Sequence, residues 1–426
     1  MGPFVTGRWD SLSLELWVNI LCRLKDNFDA TCAWEKYTYR EDFVQSLRNI
    51  QRLRLVCTKF NTALDDPQLS RCVLMRKGFQ SKHLPSLVRW LHHHGRTVQL
   101  FTATGGTPSL EAALAAVVFP GSQLSFASIT DASTAAIHLL SCHSMLHSID
   151  IGSQAVTRLD LQPLAALPFL GKLILTAGQF TCAEPLLHLT GLHLSNASLT
   201  FSDGCFCASK VLKLNVRGGQ LHVNGQGLAA CHTLKKLTLS NCSVGAQDAE
   251  DCLTMLPEQA THIPSGMSAL TQLTSLDVIY CGQSLGDMQF SWLATLTALE
   301  RFWFHRQDGV ELPSELTNLT NLTTLSLVGA GVKPEEAPCM DAWVDWPQML
   351  ALRFLHFSFG VFAFDSQLLK LVACTLLQRI FFYEVVPYDA ESATYYAGLM
   401  SVLAVKRPDV ACYFDGVPVL DLAEED

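Results

Sequence analysis

Charged side chains are scarce in this sequence of 426 residues: they make up 16% of it, whereas hydrophobic residues make up 49%. The chain also has no uninterrupted apolar run of about 18 residues, the length that a helix needs to cross a bilayer. No apolar segment typical of a secretory signal opens it, because charges interrupt the start at Arg8, Asp10 and Glu15. We therefore expect a large buried core, and neither a membrane span nor secretion.

Motifs for metal binding and catalysis are missing as well. The 15 cysteines include no C-x-x-C pair, so we expect reduced, buried thiols rather than a zinc site or a disulfide framework. The consecutive His92, His93 and His94 cannot converge on one ion from a helix, because neighbouring side chains point about 100° apart. No G-x-S-x-G, H-E-x-x-H or phosphate-binding glycine loop occurs. The sequence thus predicts no metal, no cofactor and no catalytic residue.

A repeated leucine pattern fills most of the chain. Its clearest copy runs from Leu234 to Val244 and reads L-x-x-L-x-L-x-x-C-x-V, with Leu237 and Leu239 alternating as on a strand with one buried face. The same phase recurs from these starting residues: Leu146, Leu170, Leu189, Val211, Leu234, Leu273, Leu299, Leu322, Leu352 and Leu377. Most steps between them lie in the range of about 20–29 residues that leucine-rich repeats use.

The repeats predict an α/β fold, a leucine-rich-repeat solenoid with a curved parallel sheet on the concave side and helices or irregular segments on the convex side. We assign residues 78–418 to about ten to twelve such repeats, and residues 419–426 to an acidic tail. The pattern also predicts further elements: a degenerate strand at 97–103, an imperfect repeat at 123–126, helices at 109–118, 133–141 and 392–405, and a closing strand or cap at 410–414.

Two helical patterns precede the repeats. The segment from Leu12 to Leu24 reads L-S-x-E-L-W-x-x-I-L-x-x-L, and that from Arg54 to Phe60 reads R-L-V-C-T-K-F. These motifs resemble an F-box, and together with the repeats they resemble F-box/leucine-rich-repeat proteins, in particular plant or green-algal members. Two departures bear on the resemblance: Ser13 stands where the family has proline, and the loop at residues 25–40 is long.

The resemblance implies a helical F-box-like domain over residues 1–77 that docks on the Skp adaptor of a cullin-RING, SCF-type ubiquitin ligase. It implies these adaptor-binding residues: Leu12, Glu15, Leu16, Ile20, Leu21, Leu24, Val56, Cys57 and Phe60. The chain would then be a non-catalytic, cytoplasmic or nuclear subunit that recognises a protein substrate through its repeats. The alternative is an ordinary helical cap on an interaction scaffold of the cytoskeleton or ciliary axoneme, without a ligase role.

Charge is unevenly distributed, although the formal net charge of −9 argues against nucleic-acid binding. In the ten repeats, the side chains between the leucines point to the concave face. The basic residues there are Lys172, Lys213, Arg217, Lys235, Lys236, Arg301, Arg306, Arg353 and Arg379, and the acidic ones are Asp150, Asp277, Glu300 and Glu384. Such a face attracts acidic partners. The competing interpretation is that these lysines are merely solvated, as in many repeats of this kind.

Aromatic side chains join the arginines in the last repeats, which leads to a predicted substrate-binding set. Its members are Arg301, Trp303, Arg306, Arg353, Phe354, Arg379, Phe381 and Tyr383. Arginine offers paired donors for carboxylates or phosphates, and exposed rings are common anchors of interfaces. We therefore expect an acidic or phosphorylated protein substrate, no nucleic acid and no membrane. In the rival hypothesis, the acidic loops at 245–258 and 333–345 fold over this face and neutralise it.

Overall fold

A computed structural model describes this set of residues: 72–75, 84–104, 107–118, 121–153, 158–202, 204–223, 227–245, 266–279, 290–306, 314–329, 346–360, 366–385, 398, 400–414 and 417–418. The chain divides into two compact units, Met1–Gln154 with Ala166–Leu170, and Ala155–Ala165 with Gly171–Asp426. All adaptor-binding residues predicted between Leu12 and Phe60 lie outside the described residues.

The first unit alternates parallel strands with α-helices. Its strands are β1 (Cys72–Met75), β2 (Leu100–Thr104), β3 (Phe126–Thr130) and β4 (Ser148–Gly152), paired in that order. Its helices are α1 (Leu84–His94), α2 (Thr107–Val117) and α3 (Thr134–Ser141), and a 3-10 turn, Gly95–Thr97, follows α1. The degenerate strand predicted at 97–103 and the helices predicted at 109–118 and 133–141 are confirmed, whereas the imperfect repeat placed at 123–126 meets its strand, β3, only at Phe126. Strand β1 lies inside the segment 1–77 that was assigned to the N-terminal domain, and it pairs with β2. The domain boundary at residue 77 stays a prediction.

The second unit carries the regular repeats. Its strands are β5 (Leu159–Asp160), β6 (Lys172–Cys182), β7 (Gly191–Phe201), β8 (Lys213–Arg217), β9 (Gln220–Val223), β10 (Lys236–Ser240), β11 (Ser243–Gly245), β12 (Ser275–Ile279), β13 (Arg301–Arg306), β14 (Thr324–Gly329), β15 (Phe354–Gly360), β16 (Arg379–Val385), β17 (Ala411–Phe414) and β18 (Val417–Pro418). The main ladder runs β6–β7–β8–β10–β12 and then in chain order to β17, all parallel. Strand β18 pairs antiparallel with β17.

Short helical turns connect the strands on the other side of this unit. They are the helix α4 (Cys205–Ala208) and the 3-10 segments Gln162–Ala166, Gly227–Ala230, Met267–Ala269, Phe290–Thr295, Ser314–Asn318, Trp346–Gln348 and Ser366–Ala373. Residues 400–406 are also helical. Repeats of this length leave few residues for a crossover, so tight turns suffice. In the described part of the chain, no helix is both long and apolar enough to cross a membrane.

A ladder of leucines fills the core. The ten residues predicted to start the repeats, from Leu146 to Leu377, are each between 0% and 2% exposed. The strand residues Leu237 and Leu239 are each 1% exposed. Burial of such side chains contributes roughly 25 cal/mol per Å² of apolar surface, so the ladder is the main source of stability. The predicted leucine-rich-repeat fold and its register are confirmed.

A second, shorter ladder was not predicted from the sequence. The end of β6 pairs with β5 and with the end of β7, which in turn pairs with β9, and β9 pairs with β11. Between the two ladders the backbone enters the left-handed region at the eighth repeat position, with φ of 53° at Ala177, 51° at Asn196, 58° at Gly218 and 45° at Asn241. Asparagine and glycine tolerate this conformation better than other residues do.

Gly219 follows one of these turns, and we expect that replacing it with alanine destabilises the second unit. A Cβ there would overlap the carbonyl oxygen of Ala197 on the neighbouring β7. Because backbone atoms must move to relieve the overlap, the expected loss is about 1–3 kcal/mol. Urea unfolding measures it. Gly191→Ala is the control, since its Cβ would meet Lys172 Cγ at an ordinary 3.8 Å; equal losses would show that the described approach of β9 to β7 is wrong.

Arg407 anchors the last main strand. Its guanidinium donates to the carbonyl oxygens of Val372 at 3.1 Å, Cys374 at 2.9 Å and Leu377 at 3.3 Å. It also forms an ion pair with Asp409 at 2.8 Å. These bonds satisfy carbonyls at the turn before β16 and hold β17 beside it, which brings Tyr413 onto the same face as the predicted substrate-binding residues.

Candidate protein-binding face

The side chains opposite the leucines form one face of the second unit's sheet, here called the polar face. Because the strands are in register, these side chains align in three columns across the strands. The central column reads Ile174, His193, Asn215, Thr238, Asp277, Trp303, Ser326, His356, Phe381 and Tyr413. The flanking columns carry most of the charged groups. The polar face therefore changes from charged and amide side chains at β8 to aromatic ones at β16.

The structure places the predicted substrate-binding residues on β13, β15 and β16 or directly before them. Trp303 is 41% and Tyr383 is 44% exposed, which is high for such large side chains. Arg301, Arg353 and Arg379 are also exposed, whereas Phe354 and Phe381 are half-buried. The guanidinium of Arg379 lies over the ring of Phe354, 6.0 Å from its centre, because the two residues are register partners. The side chain of Arg306 lies outside the described part.

Four residues that the sequence did not single out complete this region, which we call the aromatic patch. They are His305, Ser326, His356 and Tyr413, which join Trp303, Phe354, Phe381 and Tyr383. The rings of Trp303 and His305 stack at 6.3 Å, and those of Phe381 and Tyr413 stack at 4.9 Å. His356 meets the ring of Phe381 edge-on at 6.3 Å. The sequence signal was present, because each of these residues occupies a position that points to the polar face.

The two imidazoles of the aromatic patch are held in their neutral form. Burial lowers the pKa of His356, and burial together with the nearby His356 lowers the pKa of His305. His356 Nδ1 lies 3.0 Å from the hydroxyl oxygen of Ser326. Ser326 is only 1% exposed, so this pair is not placed to attack a bound molecule. At neutral pH the aromatic patch therefore offers uncharged rings flanked by cationic arginines, an arrangement that suits binding.

A second group, which we call the basic patch, lies on β8 and β10. It consists of Lys213, Arg217 and Lys236, all exposed. Lys213 and Lys236 are direct register partners, so two like charges face each other across neighbouring strands. Toward the aromatic patch, Thr238 donates a hydrogen bond of 3.1 Å to the carboxylate of Asp277. Burial raises the pKa of Asp277, while the Thr238 hydrogen bond and the neighbouring cations Arg217, Arg301 and Lys236 lower it.

Three of the buried cysteines are not suited to nucleophilic chemistry. Burial raises the pKa of the Cys182 thiol to about 12 and that of Cys374 to about 11. Burial likewise raises the pKa of the Cys412 thiol to about 11. Thiols of this kind stay protonated at neutral pH, and the thiolate is the reactive form. Among the described residues, no group of three or more His, Cys, Asp or Glu side chains is arranged to hold a metal ion.

Comparison with known proteins finds likeness at the level of solved structures. No protein-family model and no curated protein matches the sequence. A leucine-rich-repeat protein of Leptospira interrogans aligns with a TM-score of 0.37 at 12% identity, over 80% of this chain and 100% of that one. The ectodomain of the Arabidopsis thaliana receptor kinase GASSHO1/SCHENGEN3, in complex with CASPARIAN STRIP INTEGRITY FACTOR 2, gives 0.33 at 10% identity, over 75% of this chain and 39% of that one.

Internalin C2 of Listeria monocytogenes aligns with a TM-score of 0.25 at 14% identity, over 64% of this chain and 83% of that one. The repeat assignment for this chain rests on its own strands. The strands of the main ladder are parallel, they pair in one register, and buried apolar residues, mostly leucines, recur at the same positions in each repeat. The described residues therefore form a leucine-rich-repeat array whose polar face carries a basic patch and an aromatic patch.

Proposed function

We propose that this chain is a non-catalytic substrate-recognition subunit of an SCF-type ubiquitin ligase, acting in the cytoplasm or nucleus. The observation that carries the substrate-binding part is the aromatic patch, where exposed arginines flank exposed rings on neighbouring strands. Aromatic and arginine side chains dominate the energy of protein interfaces. The ligase part is supported by the resemblance of residues 12–24 and 54–60 to an F-box.

In this proposal, each region has its own task. The N-terminal motifs dock on the Skp adaptor, and through it on the cullin-RING enzyme. The polar face holds an acidic or phosphorylated segment of a protein substrate, whose carboxylates or phosphates meet Arg301, Arg353 and Arg379. Ubiquitin transfer is then accelerated because the substrate is held close to an enzyme bound elsewhere on the complex.

Replacing both Ile20 and Leu21 with alanine should abolish adaptor binding. In the resemblance, both side chains are apolar anchors of a helix docked in a groove, and their joint loss costs about 2–4 kcal/mol. Co-purification with the Skp adaptor and cullin measures the effect, and circular dichroism checks that the repeats stay folded. If the unaltered chain never captures the adaptor, or the double variant captures it equally well, the ligase part of the proposal fails.

Reversing charge at Arg301 and Arg353 should remove substrate capture and leave adaptor binding intact. The double change to glutamate places two negative charges beside Trp303 and Phe354, where an acidic segment is expected. Proteins captured by both forms are compared quantitatively at low and high salt, with adaptor recovery as the internal reference. Lys370→Glu with Lys406→Glu is the matched control, because both lysines are exposed and lie on connecting helices. An unchanged set of captured proteins would contradict the proposed face.

The alternative is a leucine-rich-repeat scaffold of the cytoskeleton or ciliary axoneme. It uses the same polar face, so only the N-terminal segment separates the two functions. Adaptor capture by the unaltered chain would favour the receptor, whereas loss of binding partners on reversal of Arg301 and Arg353 without any adaptor capture would favour the scaffold.

A further inference from the structure

Two lysines of the basic patch carry charge that no ion pair within the described part of the chain balances. Lys213 and Lys236 are exposed register partners, and no carboxylate in the described residues forms an ion pair with either. Like charges placed directly opposite on neighbouring strands destabilise a sheet. Lys172 on β6 adds to this field, because it lies in the same column as Lys213, with only Gly191 of β7 between them. An arrangement that costs stability is common where a surface serves binding.

Buried His193 and half-buried Asp277, both in the central column, feel the positive charge of the patch. The pKa of His193 is lowered to about 4 by burial and by the charges of Arg217 and Lys172. The nearby Asp277 is the acid of the central column, and Arg217, Arg301 and Lys236 all act on it. The positive charges of the flanking columns therefore act on the central column between them, from β7 to β13. This is the path that a ligand lying across the strands would follow.

The central column of the patch also contains a hydrogen-bond acceptor that no described residue satisfies. Asn215 lies between Lys213 and Arg217 on the same strand face, and within the described residues its carboxamide oxygen has no hydrogen-bond partner. A buried acceptor without a partner costs roughly 1–3 kcal/mol. A modest rotation of this side chain would present the oxygen to a ligand. An extended peptide supplies both complements, since its backbone N–H groups donate and its acidic side chains meet the lysines.

We propose that the basic patch binds the acidic half of an extended protein segment whose apolar half lies on the aromatic patch. This inference rests on the proposed substrate-binding role of the polar face and names the segment that fits it. Six strand steps separate β8 from β16. At about 4.8 Å per step they span about 29 Å, which about nine extended residues cover. One segment therefore reaches both patches.

The chemistry of the central column favours a peptide over a nucleic acid as the ligand. The whole chain has a formal charge of −9, and the carboxyl of Asp277 lies between the two patches. A polyphosphate backbone would pass this carboxyl with a charge at every unit, whereas a peptide carries its acidic side chains at one end only. Asp277 thus marks where the acidic half of the segment ends and its apolar half begins.

The probe is a fluorescein-labelled peptide of about twelve residues with a run of glutamates at one end and Trp-Leu at the other, made in both directions of the chain. A second version carries glutamine in place of glutamate. Binding to the full chain is measured by fluorescence anisotropy at low and high ionic strength. We expect the double variant Lys213→Glu with Lys236→Glu to bind the glutamate peptide about tenfold or more weakly. Its affinity for the glutamine peptide should be unchanged.

Three further variants sharpen the result. Asp277→Asn should tighten binding of the glutamate peptide several-fold, because it removes a negative charge and keeps a side chain that can accept from Thr238. Lys210→Glu and Lys406→Glu are the matched controls, since both lysines are exposed but lie off the polar face, and they should leave binding unchanged. Binding of the glutamate peptide should also weaken as salt rises.

The outcomes separate this inference from the proposed function. If Arg301→Glu with Arg353→Glu removes peptide binding while the lysine reversal does not, the substrate face stands and the basic patch is not part of it. No binding of either peptide by the unaltered chain would overturn the inference. Tighter binding of a single-stranded oligonucleotide of equal charge would also overturn it. So would a concentration-dependent dimer of the chain that dissociates when Lys213 and Lys236 are changed to glutamate.

Discussion

Replacing Phe302 with alanine is expected to destabilise the second unit by about 3–5 kcal/mol, the usual cost of removing a buried ring. Phe302 is 1% exposed and packs against Phe304, with 5.8 Å between the ring centres. It takes the place of a leucine in the core ladder between Leu276 and Leu325. The variant leaves a cavity that strands held on both sides cannot collapse to fill. Chemical unfolding followed by circular dichroism measures the loss.

Trp303 is the matched control, because it is the next residue on the same strand and points to the opposite face. Its ring is 41% exposed, so Trp303→Ala should cost only about 1 kcal/mol of stability. It should nevertheless weaken substrate capture, which Phe302 affects only through folding. If the two alanine variants lost equal stability, the assignment of faces on β13 would be reversed and the aromatic patch with it.

Acidification from pH 6.5 to about 4 should remove stability from both units. Burial lowers the pKa of His143 in the first unit from 6.5 to about 4. The pKa of His193 in the second unit is lowered over the same range by burial and by the charges of Arg217 and Lys172. At 1.36 kcal/mol per pKa unit, each imidazole accounts for roughly 3 kcal/mol. Urea unfolding curves recorded across this pH range measure the dependence.

The sign follows from proton uptake on unfolding. Between the two pKa values the unfolded chain holds a proton on each imidazole and the folded chain does not, so stability rises with pH. The contribution of the two neutral imidazoles to the free energy of unfolding is complete above pH 6.5. It falls as the pH drops and levels off below about pH 4. His143→Asn and His193→Asn should each flatten the slope. The amide introduced by His143→Asn can keep a hydrogen bond to Ser122, whose hydroxyl lies 3.1 Å from His143 Nδ1. The exposed His138→Asn is the control, and an equal flattening by it would contradict this origin.

The core ladder could be predicted because its spacing is imposed by geometry. A strand with one buried face requires alternation, and stacking requires each copy to repeat it in phase, as Leu234, Leu237 and Leu239 do. The ten starting residues therefore carried enough information to place every main strand from β4 to β16. Cys242, the cysteine of the L-x-x-L-x-L-x-x-C-x-V pattern, is buried as well.

The second ladder escaped prediction because its strands are short and follow a turn without a strict residue requirement. Asn196, Gly218 and Asn241 are typical of a left-handed backbone, but Ala177 adopts the same conformation in the first of these repeats. Three- and four-residue strands such as β9 and β11 contain too few positions for alternation to stand out. Their pairing is fixed by the neighbouring main strands, which is information about the assembled array.

The candidate site could be predicted only residue by residue. That Trp303 and Arg301 point to the polar face follows from their position in the repeat. Their register partners across the sheet follow from the same phase, but the contacts between those side chains do not. The stacking of Phe381 on Tyr413 and the bond between His356 and Ser326 depend on side-chain rotamers and on the packing of neighbouring side chains. The adaptor-binding residues from Leu12 to Phe60 remain a prediction from resemblance.

One step in the register has a consequence for how the array folds. Partners on β10 and β12 are 39 residues apart, whereas those on β13 and β14 are 23 apart. Closing the longer loop costs about 0.5 kcal/mol more entropy, so folding that spreads from strand to strand pauses at this step. The strands before and after it are then expected to open as separate cooperative segments. The basic patch lies on one segment and the aromatic patch on the other, so a ligand that spans both would make them melt together.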